Sequence, residues 1–191
     1  MRQIKMIPLI DLDLASQMKI REIRNEKNVR KWMFTDHIIG EKEHMAWINN
    51  LMRDDSHIVF VVLEQNPVGV VSVNEINHLH KTLGWAYYLT ETARGGLGST
   101  LEYFFIDYIF GSMGMEKLNC EVIEGNHVPI VMHGKFLFKE EGFKRSNLLK
   151  NGVRIGVHLL GLTKEDWING RDEIRAKRNE VFERFSISIK G

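Results

Sequence analysis

Only one cysteine, Cys120, and three prolines occur in the 191 residues. A lone thiol excludes an intrachain disulfide framework and suits a reducing compartment, so a cytoplasmic location is expected. Long hydrophobic runs are missing too. The apolar stretch nearest the N-terminus, Met6 to Ile10, is too short for a signal segment or a membrane span. Charge of one sign is also lacking: 26 Lys and Arg against 25 Asp and Glu leave a formal net charge of +1. Neither nucleic-acid binding by phosphate neutralisation nor attachment to an anionic membrane is expected of such a chain. No cysteine cluster joins the eight histidines, and the pairs His78/His80 and His127/His133 lack the spacing of metal ligands, so no metal is expected. Repeats, low-complexity segments and linkers are absent.

What remains is ordinary globular material, 43% hydrophobic and 27% charged, at a length typical of one domain with a real core. Ile4–Ile10 reads as a first strand. Leu14–Arg24 and Glu41–Met52 carry apolar residues at three- and four-residue spacing and read as helices. The period then changes. His57–Leu63 is a β-branched run turned by Asn66-Pro67, and Val68–Ile76 and Leu83–Thr90 complete an antiparallel meander. A helix over Gly96–Phe110, stopped by Gly111 and Gly114, precedes a strand over Lys117–Ile123 and a helix over His127–Phe136. A strand pair follows, around Phe143 and over Arg154–Leu162. Thr163 opens a capped helix expected to run to about Phe185. A meander followed by alternating helix and strand predicts a mixed sheet covered by helices.

Between the third meander strand and its helix lies Arg94-Gly95-Gly96-Leu97-Gly98-Ser99. A glycine turn that opens a helix lets the backbone approach a phosphate while helix-start N–H groups point outward. Ser99 adds a hydroxyl and Arg94 a charge. The plain alternative is a tight turn whose glycines only accommodate positive φ. A dinucleotide fingerprint and a P-loop are both excluded, because the first needs G-x-G-x-x-G in an early βαβ unit and the second a Gly-Lys-Ser/Thr ending.

The turn in this order, together with Glu121-Val122-Ile123-Glu124-Gly125-Asn126 and His133-Gly134-Lys135-Phe136-Leu137-Phe138, resembles the GNAT N-acetyltransferases. Their pyrophosphate loop reads Gln/Arg-x-x-Gly-x-Gly/Ala. Here Ala93 takes the first position and the basic residue falls at Arg94, one place late. Leu137 stands where the family has glycine, and His133 where it has tyrosine. The resemblance implies an α/β (α+β) fold: a mixed, mostly antiparallel sheet of about seven strands flanked by helices, plus a C-terminal helix. Residues 1–162 form the expected domain, with 163–191 a helical extension packed on it. A homodimer contact through that extension is left open. The implied co-substrate is acetyl-CoA, held by Tyr88, Leu89, Arg94, Gly95, Gly96, Leu97, Gly98, Ser99 and Asn126.

Arg24-Asn25, Val29–Met33, Glu43–Trp47, Ser72–Lys81 and Trp85–Tyr88 further resemble the sugar-nucleotide N-acetyltransferases of the pseudaminic-acid pathway, which serves flagellin glycosylation. That likeness implies a UDP-linked 4-amino-4,6-dideoxy sugar as acceptor, in a pocket of Arg24, Met33, Phe34, His44, Trp47, Lys81 and Tyr88. Met33, Phe34 and Trp47 also fit an ordinary core stripe. An N-terminal protein acetyltransferase and a non-catalytic acyl-CoA sensor are the other readings.

Amide formation needs a neutral amine, a polarised carbonyl and a proton for the departing thiolate. A sugar amine with a pKa of roughly 8, like an α-amino group, asks for only a modest base. Glu121 is the first choice and Glu124 the second. His133 takes the role of the family's tyrosine as acid. A free backbone N–H around Tyr88 or Leu89 is expected to hold the thioester oxygen.

Overall fold

Residues of alternating and helical period become strands and helices because successive strand side chains point to opposite faces while helical ones return every three to four residues. The computed structural model describes residues 1–93 and 95–190; Arg94, expected to add charge to the glycine turn, lies outside them. In chain order the elements are β1 (Arg2–Pro8), α1 (Leu14–Asn25), α2 (Lys27–Arg30), α3 (Glu41–Leu51), β2 (Ile58–Leu63), β3 (Pro67–Asn77), β4 (Thr82–Leu89), α4 (Leu97–Gly111), β5 (Lys117–Ile123), α5 (His127–Gly134), β6 (Lys139–Lys150), β7 (Val153–Thr163), α6 (Lys164–Phe182) and β8 (Phe185–Ile189). The strands form one sheet in the order β6-β7-β5-β4-β3-β2-β1-β8. Pairs β4–β5 and β1–β8 are parallel and the other neighbours antiparallel.

Each face of the sheet has its own core. On one, Leu9, Ile20, Ile23 and Ile48 from the first helical segments cover Val59, Val61 and Val70. On the other, α4 lies between the sheet and α6: Phe105 meets Phe60 edge-on at 5.6 Å, while Tyr103 packs on Trp167 at 5.2 Å and Phe182 at 4.8 Å. Truncating a fully buried aromatic such as Phe105 costs about 3–5 kcal/mol.

Three expectations are revised. The terminal helix does not reach Phe185. It starts as expected, with Thr163 Oγ1 accepting from Asp166 N at 3.1 Å, but ends at Phe182, and Phe185–Ile189 pairs with β1 from Arg2 to Met6. The Phe-Ser-Ile-Ser-Ile alternation is the signature of a half-buried strand, so the sheet has eight strands, the last of them Phe185–Ile189. Pro8 ends the first strand, and Leu9–Asp11 forms a single 3-10 turn. Finally, α5 stops at Gly134, and Leu137, at the family's glycine position, has φ 71°. That conformation costs an L-residue roughly 1–2 kcal/mol. It is offset by packing on α6, where a Cβ at Gly170 would lie 2.6 Å from Leu137 Cδ1.

Candidate active site

The parallel contact between β4 and β5 is short. It spans Thr82–Gly84 against Lys117–Asn119 and then stops, while β4 stays on β3 to Leu89 and β5 stays on β7 to Ile123. The two strands therefore diverge, leaving a wedge-shaped gap with unpaired backbone on its walls. Thr90 N donates to Val68 O at 2.9 Å, so its N–H points at β3, and Asn119 Nδ2 donates to Leu83 O at 3.3 Å, so that carbonyl points at β5. Strand alternation then directs the N–H groups of Tyr87 and Leu89 into the gap and that of Tyr88 away from it. Of the two expected carbonyl holders, Leu89 fits through its amide. Tyr88 instead offers its side chain to the opposite face.

The gap opens onto the glycine turn. Gly95 and Gly96 adopt φ 81° and 95°, and a Cβ on Gly96 would sit 2.3 Å from Val181 Cγ1. Only glycine fits there. Gly98 is different: a methyl would make ordinary contacts, 3.4 Å to Met132 Cε and 3.7 Å to the Tyr87 hydroxyl. Neither packing nor backbone demands glycine at Gly98, so its value lies in the open approach to the helix start. Thr100 N makes the first intrahelical bond, to Gly96 O at 3.0 Å, which leaves the amides of Leu97, Gly98 and Ser99 facing outward. These are the donors a diphosphate needs. The Ser99 hydroxyl is not among them, because it is buried and donates to Gly96 O at 2.9 Å. Asn126 stands at the end of β5 as the N-cap of α5, yet its side chain caps no amide.

His133 lies beneath the gap, on the face covered by α4 and α6. It is 4% exposed; Nδ1 is 2.7 Å from Glu102 Oε1, and Nε2 is 3.5 Å from Cys120 Sγ. Tyr87 donates to the other Glu102 oxygen at 3.3 Å. Burial alone pulls the imidazole pKa down, but the bonds to Cys120 and Glu102 and the Glu102 charge override it and push it up to about 10. Burial, aided by Glu102, raises the Tyr87 phenol well above its ordinary range. Glu102 was not anticipated. Its signal is a carboxylate inside an apolar helix, sharing a face with Phe105, Ile106 and Ile109 at helical spacing.

Glu121 points to the other face, exposed, with Lys144 Nζ at 2.5 Å. Glu124 Oε2 accepts from Gly156 N at 2.6 Å, so it is tied to β7. On Glu121's side of the sheet, between α1, α3 and strands β2–β4, lies a cavity of about 290 Å³. Its lining includes four expected acceptor residues, Arg24, His44, Trp47 and Tyr88, with Glu43, His57 and Ser72 besides. His44 Nε2–H donates to Gln17 O at 2.9 Å, and burial lowers the pKa of both His44 and His57. Burial also raises the Tyr88 phenol. Arg24 Nη2 donates to Thr35 O at 3.1 Å, whereas Nη1 is buried without a partner. Among the described residues no carboxylate comes within ion-pair distance of Arg24, and Glu43 is held by His37 Nε2 at 2.6 Å.

The structure does not bring the remaining acceptor residues to this cavity. Met33 and Phe34 sit on the segment above it, where Lys150 Nζ of the β6–β7 hairpin donates to Met33 O at 2.7 Å and Phe34 is 45% exposed. Lys81 precedes β4 at the end of the strand opposite Tyr88, and its carbonyl accepts from Glu116 N at 2.7 Å. Among the described residues no cluster of His, Cys, Asp and Glu is disposed to hold a metal, and no helix is long and apolar enough to cross a membrane.

Comparison with known proteins agrees with this geometry. Residues 5–133 match the family model described as "Acetyltransferase (GNAT) domain". Among solved structures, a spermidine N-acetyltransferase from Vibrio cholerae in complex with CoA and spermine superposes with a TM-score of 0.76 at 22% identity, covering 83% of this chain and 95% of that one. A chimera of the Vibrio cholerae spermidine N-acetyltransferase and hSSAT gives 0.74 at 20%, covering 87% and 99%. No curated protein matches in sequence.

Proposed function

The chain belongs to the GNAT acetyltransferases, an N-acetyltransferase with acetyl-CoA as donor, and on that premise we propose that its acceptor is the 4-amino group of a UDP-linked 4-amino-4,6-dideoxy sugar. The observation that carries this reading is the Arg24 guanidinium, which lines an aromatic cavity with a buried Nη1 that has no hydrogen-bond partner and, among the described residues, no carboxylate at ion-pair distance. A half-buried guanidinium with an unfilled donor favours an anionic ligand, and a diphosphate matches the guanidinium fork. Trp47, His44 and Tyr88 supply flat surfaces for a base. At about 290 Å³ the cavity suits one planar ring, with the sugar extending past Tyr88 toward the gap. A polyamine, the ligand in the name of the structural neighbours, is a polycation, and a peptide N-terminus is a cation too. Both call for acidic walls, and this cavity has one carboxylate, already bonded to His37.

In this reading the two substrates meet through the gap. The pyrophosphate of acetyl-CoA rests on the amides of Leu97 to Ser99, and the thioester oxygen accepts from Leu89 N–H. The sugar amine, freed of its proton by Glu121 directly or through water, attacks the thioester carbon. The C–N bond forms, the C–S bond breaks, and the thiolate takes a proton from His133. Glu121, exposed and paired with the solvent-exposed side chain of Lys144, is preferred to Glu124, whose carboxylate accepts from the β7 backbone.

Calorimetric titration of the protein with UDP and with spermidine tests the acceptor class. UDP is expected to bind and Arg24→Ala to weaken it. Saturable spermidine binding that Glu43→Gln abolishes, with no UDP binding, overturns the reading.

A further inference from the structure

The acid proposed for the thiolate is a shorter side chain than the tyrosine it replaces, and it does not act alone. Glu102 is fully buried in the middle of α4, where an ionised carboxylate is costly unless paired and hydrogen-bonded. Its partners are His133 Nδ1 at 2.7 Å and the Tyr87 hydroxyl at 3.3 Å. On the far side of the ring Nε2 faces a sulfur, Cys120 Sγ, at 3.5 Å. Cys120 is the first β5 residue beyond the segment paired with β4, and Trp85, whose ring lies 5.5 Å from His133, is the first such residue of β4. The imidazole thus sits at the apex of the gap, fixed by a carboxylate at one nitrogen and turned toward sulfur at the other.

We propose that Glu102 is a positioning residue for acyl transfer: it holds His133 as an imidazolium whose Nε2–H is donated to the sulfur of coenzyme A. The inference rests on the reading of His133 as the group facing the thiolate. As the C–S bond breaks, the Nε2 proton passes to sulfur. His133 becomes neutral and keeps its Nδ1 proton on Glu102, and the proton removed from the amine restores the imidazolium by way of solvent. The titratable groups facing the ring are Glu102 from α4, Cys120 from β5 and, through the carboxylate, Tyr87 from β4. Trp85 and Phe138 complete the wall. The raised His133 value agrees with this arrangement.

Two measurements test it, and neither uses an acceptor, so they stand apart from the sugar assignment. In protein labelled at histidine, the ring signals of His133, assigned by their loss in His133→Asn, are followed from pH 5 to 10.5. The ring is expected to stay protonated through neutrality in the wild type and to titrate below pH 7 in Glu102→Gln. Titration below pH 7 in the wild type, or an unchanged value in Glu102→Gln, overturns the proposal. Calorimetry then compares CoA with desulfo-CoA. A one-unit drop in the thiol pKa corresponds to a preference for CoA that is slight at neutral pH and approaches about tenfold once pH exceeds the free thiol's value of roughly 8.5. That preference is expected to vanish in Glu102→Gln while desulfo-CoA binding is retained. Equal weakening of both ligands marks a structural role only and overturns it. Should Glu102→Gln fail to fold, the wild-type titration and the pH dependence of the CoA preference decide alone.

Discussion

The two faces of the gap are built differently. The proposed donor face is backbone: two positive-φ glycines, a helix start and strand amides, all within residues 87–99. The acceptor face is side chains gathered from α1, α3, β2, β3 and β4, residues as far apart as Ile20 and Tyr88. A backbone site tolerates little change of side chain but reads no identity beyond a phosphate, whereas a side-chain site sets which amine is taken. On the proposed reading, donor and acceptor binding are therefore separable by mutation.

The largest effect belongs to the backbone side. Gly96→Val forces a β-branched residue into left-handed φ against Val181, a penalty of roughly 2–4 kcal/mol that should appear as about a hundredfold weaker CoA binding or more. UDP binding should be unchanged. A matching loss of UDP affinity breaks the separation. On the acceptor side, Arg24→Ala removes a charge-assisted pair of about 1.5–3 kcal/mol, so the KM for the sugar nucleotide should rise roughly 10–100-fold with the KM for acetyl-CoA constant.

Smaller and pH-dependent is Glu121→Gln. Turnover at pH 7 should fall about tenfold and recover as pH rises through roughly 8, where the amine deprotonates unaided. Glu124→Gln should leave turnover unchanged, and the opposite outcome reassigns the base. The last effect is on stability and leaves the two substrate sites aside. His133 is raised to about 10 from an ordinary 6.5, so its contribution is complete below pH 6.5 and is lost as pH rises toward 10. Melting temperature should decline over that window, and the decline should flatten in the Glu102→Gln/His133→Asn pair, where neutral amides replace both charges.

How far each face was legible in the sequence follows from the same contrast. The glycine turn could be read because a turn, a helix start and a strand are local, and local spacing encodes them. Leu89 and Tyr88 could be placed near the site but not told apart, since which amide faces β5 depends on the register with β3. Four of the expected acceptor residues share one cavity, whereas Lys81 lies at the far end of β4, a matter of strand direction that spacing does not reveal. The hydroxyl of Ser99 was read as a donor and proves to be bonded to Gly96. The role of Glu102 is not legible from local spacing, because its partners come from β4 and α5. The strand at Phe185–Ile189 was hidden by the charged helix before it, although its alternation was in plain view.

The most direct test of the central claim is thiol release from acetyl-CoA in the presence of a UDP-4-amino-4,6-dideoxy sugar, spermidine or a peptide with a free N-terminus. Release with the sugar nucleotide, with the acetyl group on its 4-amino nitrogen by NMR and loss of the rate in Arg24→Ala, is the expected result. Release with spermidine or the peptide and none with the sugar nucleotide would contradict the account.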